Sequence, residues 1–368
     1  MSFEGLLGIF ILLYIIELGF YSYAANISRR SSRSIRNLST LPRVSVVIAA
    51  KDEEVNLPAC LKSVVELDYP ADLLEVIVVN DDSSDSTPAV IDGYSRITNT
   101  VRRVDAVETK TLKGKANALS QGIANASGEF IFLTDADCIV PKGWIKETLK
   151  YFDPDVGIVG GVTLISQTDK AVYGMQALDW DFLLTVCAGA ATLHKPIACL
   201  GNNLVVRKKA YEDVGGYSRI RFSVTEDFAL YKAIAESGKW RFAFPMDRNT
   251  LVETKPVGTL KDVFSQRKRW GTGGKDTGIF GFLTLGAGFM LHWAIIISPF
   301  VSLEAFGLGL IAKIILDSVF VLPTLSHYGK IAHLKFILYF EIYYITYVAI
   351  LPFLVYVGKG VTWKGRNY

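Results

Sequence analysis

The placement of apolar residues constrains this chain more than any other feature. Half of its 368 residues are hydrophobic, and the excess is gathered at the two ends. Gly5 to Ala25 is nearly continuous apolar sequence, interrupted by Glu17. Its length matches the ~20 residues a helix needs to cross a hydrocarbon core. From Ile279 onward the chain is apolar again, with three stretches of similar length: Phe282 to Leu303, Ala305 to Leu325 and Phe336 to Val357. Pro299, Pro323 and Pro352 lie near ends or fit as kinks. A bilayer offers backbone groups no water, so segments of this kind predict transmembrane helices.

Flanking charge suggests orientation. Arg29, Arg30, Arg33 and Arg36 follow the first stretch, and Lys261, Arg267, Lys268 and Arg269 precede the second region. Lys and Arg gather on the cytoplasmic side of membrane segments. The expectation is an integral membrane protein of a cell inner membrane or its equivalent, with the N-terminus outside and the middle of the chain in the cytoplasm. Ser22-Tyr23-Ala24 would suit signal-peptide cleavage. No Lys or Arg precedes the apolar run, however, and the basic cluster follows it, which favours a retained anchor. One anchor and three further spans place the tail outside, yet it carries Lys359, Lys364 and Arg366. Either one C-terminal segment is re-entrant or interfacial, or the tail breaks the charge rule. Lys313 and Asp317, four apart on one helical face, read as a buried structural pair in preference to a substrate site.

The net charge of +3 is too small to argue for nucleic acid. Cys60, Cys138, Cys187 and Cys199 lack metal-ligand spacing and read as small buried hydrophobes in a reduced compartment. His194 has no metal-like partner and reads as structural.

Between the apolar ends, Arg43 to Arg269 has the pattern of a soluble α/β domain. Val44 to Ala50 is a short run rich in Val and Ile that predicts a buried parallel strand, and Leu74 to Val79 and Phe130 to Leu133 predict two more strands. Asn56 to Val65, Lys113 to Ala126 and Ala229 to Ala235 predict helices, and Ser86 or Thr87 could cap another before Pro88. Alternating strands and helices imply a mostly parallel sheet, with ligands at the carboxyl ends of its strands. Two acidic clusters fall there.

The first cluster is Asp81, Asp82, Ser83 and Asp85, suited to accepting hydrogen bonds from a ribose or base. The second is Asp135 and Asp137, one residue apart, which together suit a hard divalent cation; on their own they would also suit a solvated turn. Lys113 and Lys115 begin a helix and could meet phosphate there. Thr225 precedes Glu226 and Asp227 as a candidate helix cap. Trp180 and Phe182 to Val186 suit either a membrane interface or a buried helix.

Taken in order, these clusters resemble the family-2 glycosyltransferases of the GT-A fold. The likeness rests on Val44 to Glu54, on Asn80-Asp81-Asp82-Ser83-Ser84-Asp85 and on Lys113-Gly114-Lys115-Ala116-Asn117-Ala118-Leu119. It continues with Thr134-Asp135-Ala136-Asp137, Thr225-Glu226-Asp227 and Gln266-Arg267-Lys268-Arg269-Trp270. The resemblance implies an α/β, GT-A nucleotide-sugar-binding domain with a mixed, mostly parallel sheet, flanked by transmembrane helices. The corresponding division is an anchor over 1–26, a basic linker over 27–42, the catalytic domain over 43–271 and a membrane region with a short tail over 272–368.

It also implies roles. Ala49, Glu53, Asp81 and Asp82 would hold the nucleoside, Lys115 would approach the diphosphate, and Asp135 would contact the nucleotide. Asp137 would hold a divalent cation, Mn2+ or Mg2+, and Asp227 would be the general base. Glu226, Gln266, Arg269 and Trp270 would border the diphosphate and acceptor, with Asn202 near the acceptor. The implied reaction is inverting transfer from a nucleotide sugar, expected to be a UDP-sugar, to a lipid-like acceptor. A processive polysaccharide synthase is the alternative, disfavoured because about four spans are few for a polymer channel. The tail from Thr362 to Tyr368 also resembles that of lipid-directed members. A non-catalytic membrane scaffold that keeps the fold is the alternative of another class.

Overall fold

The computed structural model describes residues 2–31, 40–356, 360, 362–364 and 366–367. Arg33, Arg36, Val357 and Lys359, invoked above, lie outside the described residues.

The sheet half is built on β1 (Val44–Ala50), β2 (Leu74–Asn80), β3 (Val101–Asp105) and β4 (Phe130–Asp135). Next come β5 (Cys138–Ile139), β6 (Val156–Gly160), β7 (Thr163–Ile165), β8 (Leu204–Arg207), β9 (Arg241–Ala243) and β10 (Val252–Thr254). The main sheet runs β3-β2-β1-β4-β8-β6-β9, and β5-β10-β7 form a small second sheet. β1 pairs in parallel with both β2 and β4, while β8 runs antiparallel to β4 and β6. The sheet is therefore mixed and mostly parallel, as expected.

The strands read as unbroken apolar runs because helices cover both faces. Val44, Val46 and Ile48 pack towards α2 (Leu57–Val65) and α5 (Trp144–Leu149). Val47 packs on the opposite face, towards α4 (Gly114–Ala124) and α8 (Glu226–Ala235). The remaining helices of this half are α3 (Thr87–Ile97), α6 (Ala171–Thr192), α7 (Lys208–Asp213) and α9 (Leu260–Gly273).

Neither expected cap forms. Ser86 makes no side-chain bond at the start of α3. Asp85 accepts from the Thr87 N–H at 2.9 Å instead. At α8, Thr225 makes no cap bond; its hydroxyl pairs with Ser223 at 3.1 Å.

Among the described residues, four helical stretches are long and apolar enough to cross a membrane: Phe3–Arg30, Phe280–Phe300, Leu303–Tyr328 and Ile331–Tyr356. They coincide largely with α1 (Phe3–Ser31), α10 (Gly278–Ile297), α11 (Leu303–Tyr328) and α12 (Ile337–Tyr356). Tyr21 and Tyr14 of α1 meet Thr284 and His292 of α10 in reverse order. Tyr14 and Arg29 meet Asp317 and Thr324 of α11 in the same order. Thus α1 and α11 run together and α10 runs opposite.

α12 behaves differently, because both of its ends meet the sheet half. In the turn before it, His333 lies 3.1 Å from Asp181 of α6. At its far end, Leu351 and Val355 pack against Gly271 of α9, and Lys275 donates to the Val355 carbonyl at 3.1 Å.

Lys313 is fully buried, paired with Asp317 and with Glu341 of α12 at 3.1 Å. Two cations expected at the membrane rim are also buried. Arg29 donates to Thr324 at 2.9 Å, and Arg267 pairs with Asp179. α6 is buried on most sides, against α1, α11 and α12 as well as the sheet half, and it contains Trp180 and Phe182. Cys60, Cys138 and Cys187 are free and buried, and Cys199 is half-buried.

Candidate active site

The central position of β1 decides where the acidic clusters meet. In register, Ala50 pairs with Asn80 and Ala49 with Asp135. The tip of β2 thus stands on one side of β1 and the tip of β4 on the other. Asp81 and Asp82 extend the first tip, and Asp135 and Asp137 form the second. Lys51 steadies the first by donating to the Asp81 and Asp82 carbonyls at 3.2 and 2.7 Å. Asp82 is exposed, with φ of 58°.

Glu53 and Asp81 already hold partners. Lys364 pairs with Glu53 and donates to the Lys51 carbonyl at 2.5 Å. Arg366 pairs with Asp81 at 2.5 Å. The tail cations Lys364 and Arg366 therefore lie beside the strand tips.

The second cluster opens into a cavity of about 330 Å³. Lys115, Asp135, Asp137, Asn202, Glu226, Asp227, Gln266, Arg269 and Trp270 all line it. Ala49, Glu53, Asp81 and Asp82 do not; they occupy the neighbouring rim. Lys115 bridges two motifs, at 2.6 Å from Asp135 and 3.3 Å from Glu226. Burial opposes its charge, but Asp135, Glu226 and Asp227 outweigh that and hold its pKa well above the ordinary lysine value.

Asp227 stands in the first turn of α8, where its Oδ1 accepts from the Phe228 N–H at 2.8 Å. Burial raises its pKa to about 6, Glu226 adds to the rise, and Lys115 partly offsets it. Burial, reinforced by Asp135, likewise raises Asp137 to about 6.

Gly201 begins the short 3-10 turn Gly201–Asn203. Its backbone packs so close to Asp227 that a Cβ there would collide with the carboxylate. Asn202 is buried; its carbonyl accepts from Thr134 and its side chain from Thr163, each at 2.9 Å.

Trp270 meets Trp180 edge-on, with ring centroids 5.7 Å apart. The cavity continues past this pair to Leu183 and Val186 of α6, Thr284 of α10, and Tyr347 and Leu351 of α12. Its acidic end belongs to the sheet half and its apolar wall to the membrane half. Sequence spacing gave no sign of that junction.

The model of glycosyl transferase family 2 matches residues 45–225. The chain carries a family-2 glycosyltransferase domain. Relatives include the probable glycosyltransferase YdaM of Bacillus subtilis, 28% identical over 265 residues, which cover 71% of this chain and 62% of that one. The beta-monoglucosyldiacylglycerol synthase of Synechocystis sp. is 29% identical over 245 residues, 63% of this chain and 48% of that one. The poly-beta-1,6-N-acetyl-D-glucosamine synthase of Staphylococcus aureus is 27% identical over 288 residues, 73% and 65% of the two chains. The chain thus spans about half to two-thirds of the length of the curated relatives it matches. Among solved structures, a mannosyltransferase from Pyrobaculum calidifontis in complex with GDP-Man and Mn2+ shares the fold. Its TM-score is 0.60 at 20% identity, over 93% of this chain and 99% of that one.

Proposed function

We propose that this glycosyltransferase moves a sugar from a nucleotide donor, a UDP-sugar, to the hydroxyl of a membrane lipid, with inversion. The observation that carries this reading is the shared cavity, in which Asp227 and the Asp135–Asp137 pair stand at one end and α6, α10 and α12 supply an apolar wall. A lipid lying along that wall could present its headgroup to the acids without leaving the apolar phase. A relative named for a glucosyldiacylglycerol product agrees with a lipid acceptor.

In this reading Ala49, Glu53, Asp81 and Asp82 hold the nucleoside, while Lys115, Asp135, Gln266 and Arg269 face the diphosphate. The acceptor lies against Trp270, Asn202 and Glu226. Its hydroxyl oxygen attacks the anomeric carbon opposite the diphosphate. The bonding pair of the breaking C–O bond leaves with the nucleoside diphosphate, and the hydroxyl proton passes to Asp227. A carboxyl raised to about 6 is still largely ionised at neutral pH and is a stronger base than an ordinary aspartate.

The acidic pair also suits a hard cation. Two neighbouring carboxylates, one strongly desolvated, lack a neutralising charge of their own beyond Lys115. Among the described residues no group of three His, Cys, Asp or Glu forms a complete cage, so substrate phosphate and water would complete the coordination. Mn2+ or Mg2+ held by Asp137 would neutralise the leaving diphosphate.

We further infer that α1, α10 and α11 cross the bilayer and that α12 re-enters from the catalytic side. Both ends of α12 meet the sheet half, and the tail reaches Glu53 and Asp81. Lys261 and Lys268 beside the membrane half favour a cytoplasmic catalytic domain.

The test is incubation of membranes containing the protein with labelled UDP-glucose, UDP-galactose and UDP-N-acetylglucosamine, followed by organic extraction. Label in the organic phase is expected. Label found only in a large aqueous polymer would replace this reading with processive synthesis.

A further inference from the structure

Arg267 sits between Gln266 and the Arg269–Trp270 pair, and the resemblance gives it no role. It is nearly fully buried, at 1% exposure. Its Nε and Nη2 lie 2.7 and 2.5 Å from one carboxylate oxygen of Asp179 on α6. The same oxygen accepts from the Tyr343 hydroxyl of α12 at 3.1 Å. Arg267 Nη1 donates to Gln266 Oε1 at 2.5 Å. The guanidinium carbon stands 4.0 Å from the centroid of the Trp270 ring. One buried cation therefore touches two cavity-lining side chains and ties three helices together.

Burying a guanidinium is costly, and an ion pair of this kind contributes little net stability compared with well-packed apolar side chains. Helix packing alone does not call for it. What an arginine adds is a planar, always-charged face that stacks on an indole while its edge stays hydrogen-bonded, which a lysine ammonium cannot reproduce. Asp179 and Tyr343 fix the edge of that plane, and Trp180 bounds the indole from another side.

We propose that Arg267 is a positioning residue for acceptor transfer: it sets Trp270 and Gln266 in the cavity and couples them, through Asp179 and Tyr343, to α12. The proposal rests on the acceptor reading of Trp270 given above. Arg267 does not line the cavity, so its effect passes through the residues it holds.

The experiment uses the full chain in its membranes, with the three labelled UDP-sugars as donors. Two rates are read: transfer of label to organic-extractable lipid, and release of free sugar by hydrolysis in detergent without added lipid. Arg267→Gln is expected to lower lipid labelling at least tenfold, while hydrolysis, which feels only the loosened Gln266 at the diphosphate, falls by a clearly smaller factor. Arg267→Lys should recover only part of the loss. The double variant Arg267→Gln/Trp270→Leu should be no worse than Trp270→Leu alone, because both changes remove one interaction. If Arg267→Gln does not accumulate as folded protein, Tyr343→Phe removes one hydroxyl from the anchor and should reproduce the pattern at a few-fold loss. Parallel loss of hydrolysis and labelling, or losses that multiply in the double variant, would overturn the proposal. Robust wild-type labelling unchanged by Arg267→Gln would overturn it while leaving the acceptor reading intact. A wild type that labels no lipid with any donor would remove both.

Discussion

Lys115 and Asp227 approach the same acid pocket from different motifs, and the lysine ammonium lowers a carboxyl pKa that burial and Glu226 hold up at about 6. If Asp227 is the base, kcat/KM should fall as pH drops below about 6, where the carboxyl takes up its proton, and level off above it. Lys115→Met removes the downward pull, so the acid limb should move to higher pH. A pH–rate profile of lipid labelling for the two proteins checks this; an unmoved or downward-shifted limb contradicts it.

Asp227→Asn keeps the shape of the side chain and removes the base. Transfer should drop by about 10²–10⁴-fold. Nucleotide binding, followed by titration calorimetry, should be largely retained because the nucleoside is assigned to the other strand tip. Near-wild-type transfer by this variant would remove the base assignment.

Gly201→Ala tests the same carboxylate by sterics alone. The added methyl collides with Asp227, and a displacement of about 1 Å at a reacting group costs on the order of 10²-fold in rate. Lipid labelling should fall by about that factor while circular dichroism of the purified protein stays unchanged. Full activity would mean that the carboxylate has room to move.

Chelation tests the cation. Transfer should stop in EDTA and return with added Mn2+ or Mg2+. Asp137→Asn should leave nucleotide binding, measured by calorimetry, insensitive to added Mn2+. Activity that persists through exhaustive chelation would rule out the assigned metal role.

The buried pair in the membrane half carries a separate prediction. Lys313→Met leaves Asp317 and Glu341 buried without their cation. Stranding a buried charge costs about 3–5 kcal/mol, so thermal stability in detergent should drop clearly. A variant as stable as wild type would mean that those carboxyls are protonated and need no partner.

Much of this was legible in the sequence because strand tips carry their chemistry locally. Short apolar runs marked β1, β2 and β4, and the acids that follow them inherit their position from the register. The strand ending in Asp135 is longer than the apolar run because Thr134 and Asp135 also pair with β1. Contacts between distant segments were not legible. Arg267 reads as one more basic residue before a membrane segment, and only its meeting with Asp179 shows it to be internal. Thr225 has the side chain of a helix cap, but Ser223 engages its hydroxyl. The length of α12 suits a full crossing, and nothing in the sequence announced the contacts that His333 and Lys275 make at its two ends.

If the acceptor is a membrane lipid, the mixed composition of the cavity wall, with acids on one side and α6, α10 and α12 on the other, changes what concentration means for the reaction. Such an acceptor would be counted per unit of bilayer area and not per litre. Adding inert phospholipid at constant total acceptor should then slow turnover, since each catalyst samples a thinner two-dimensional supply.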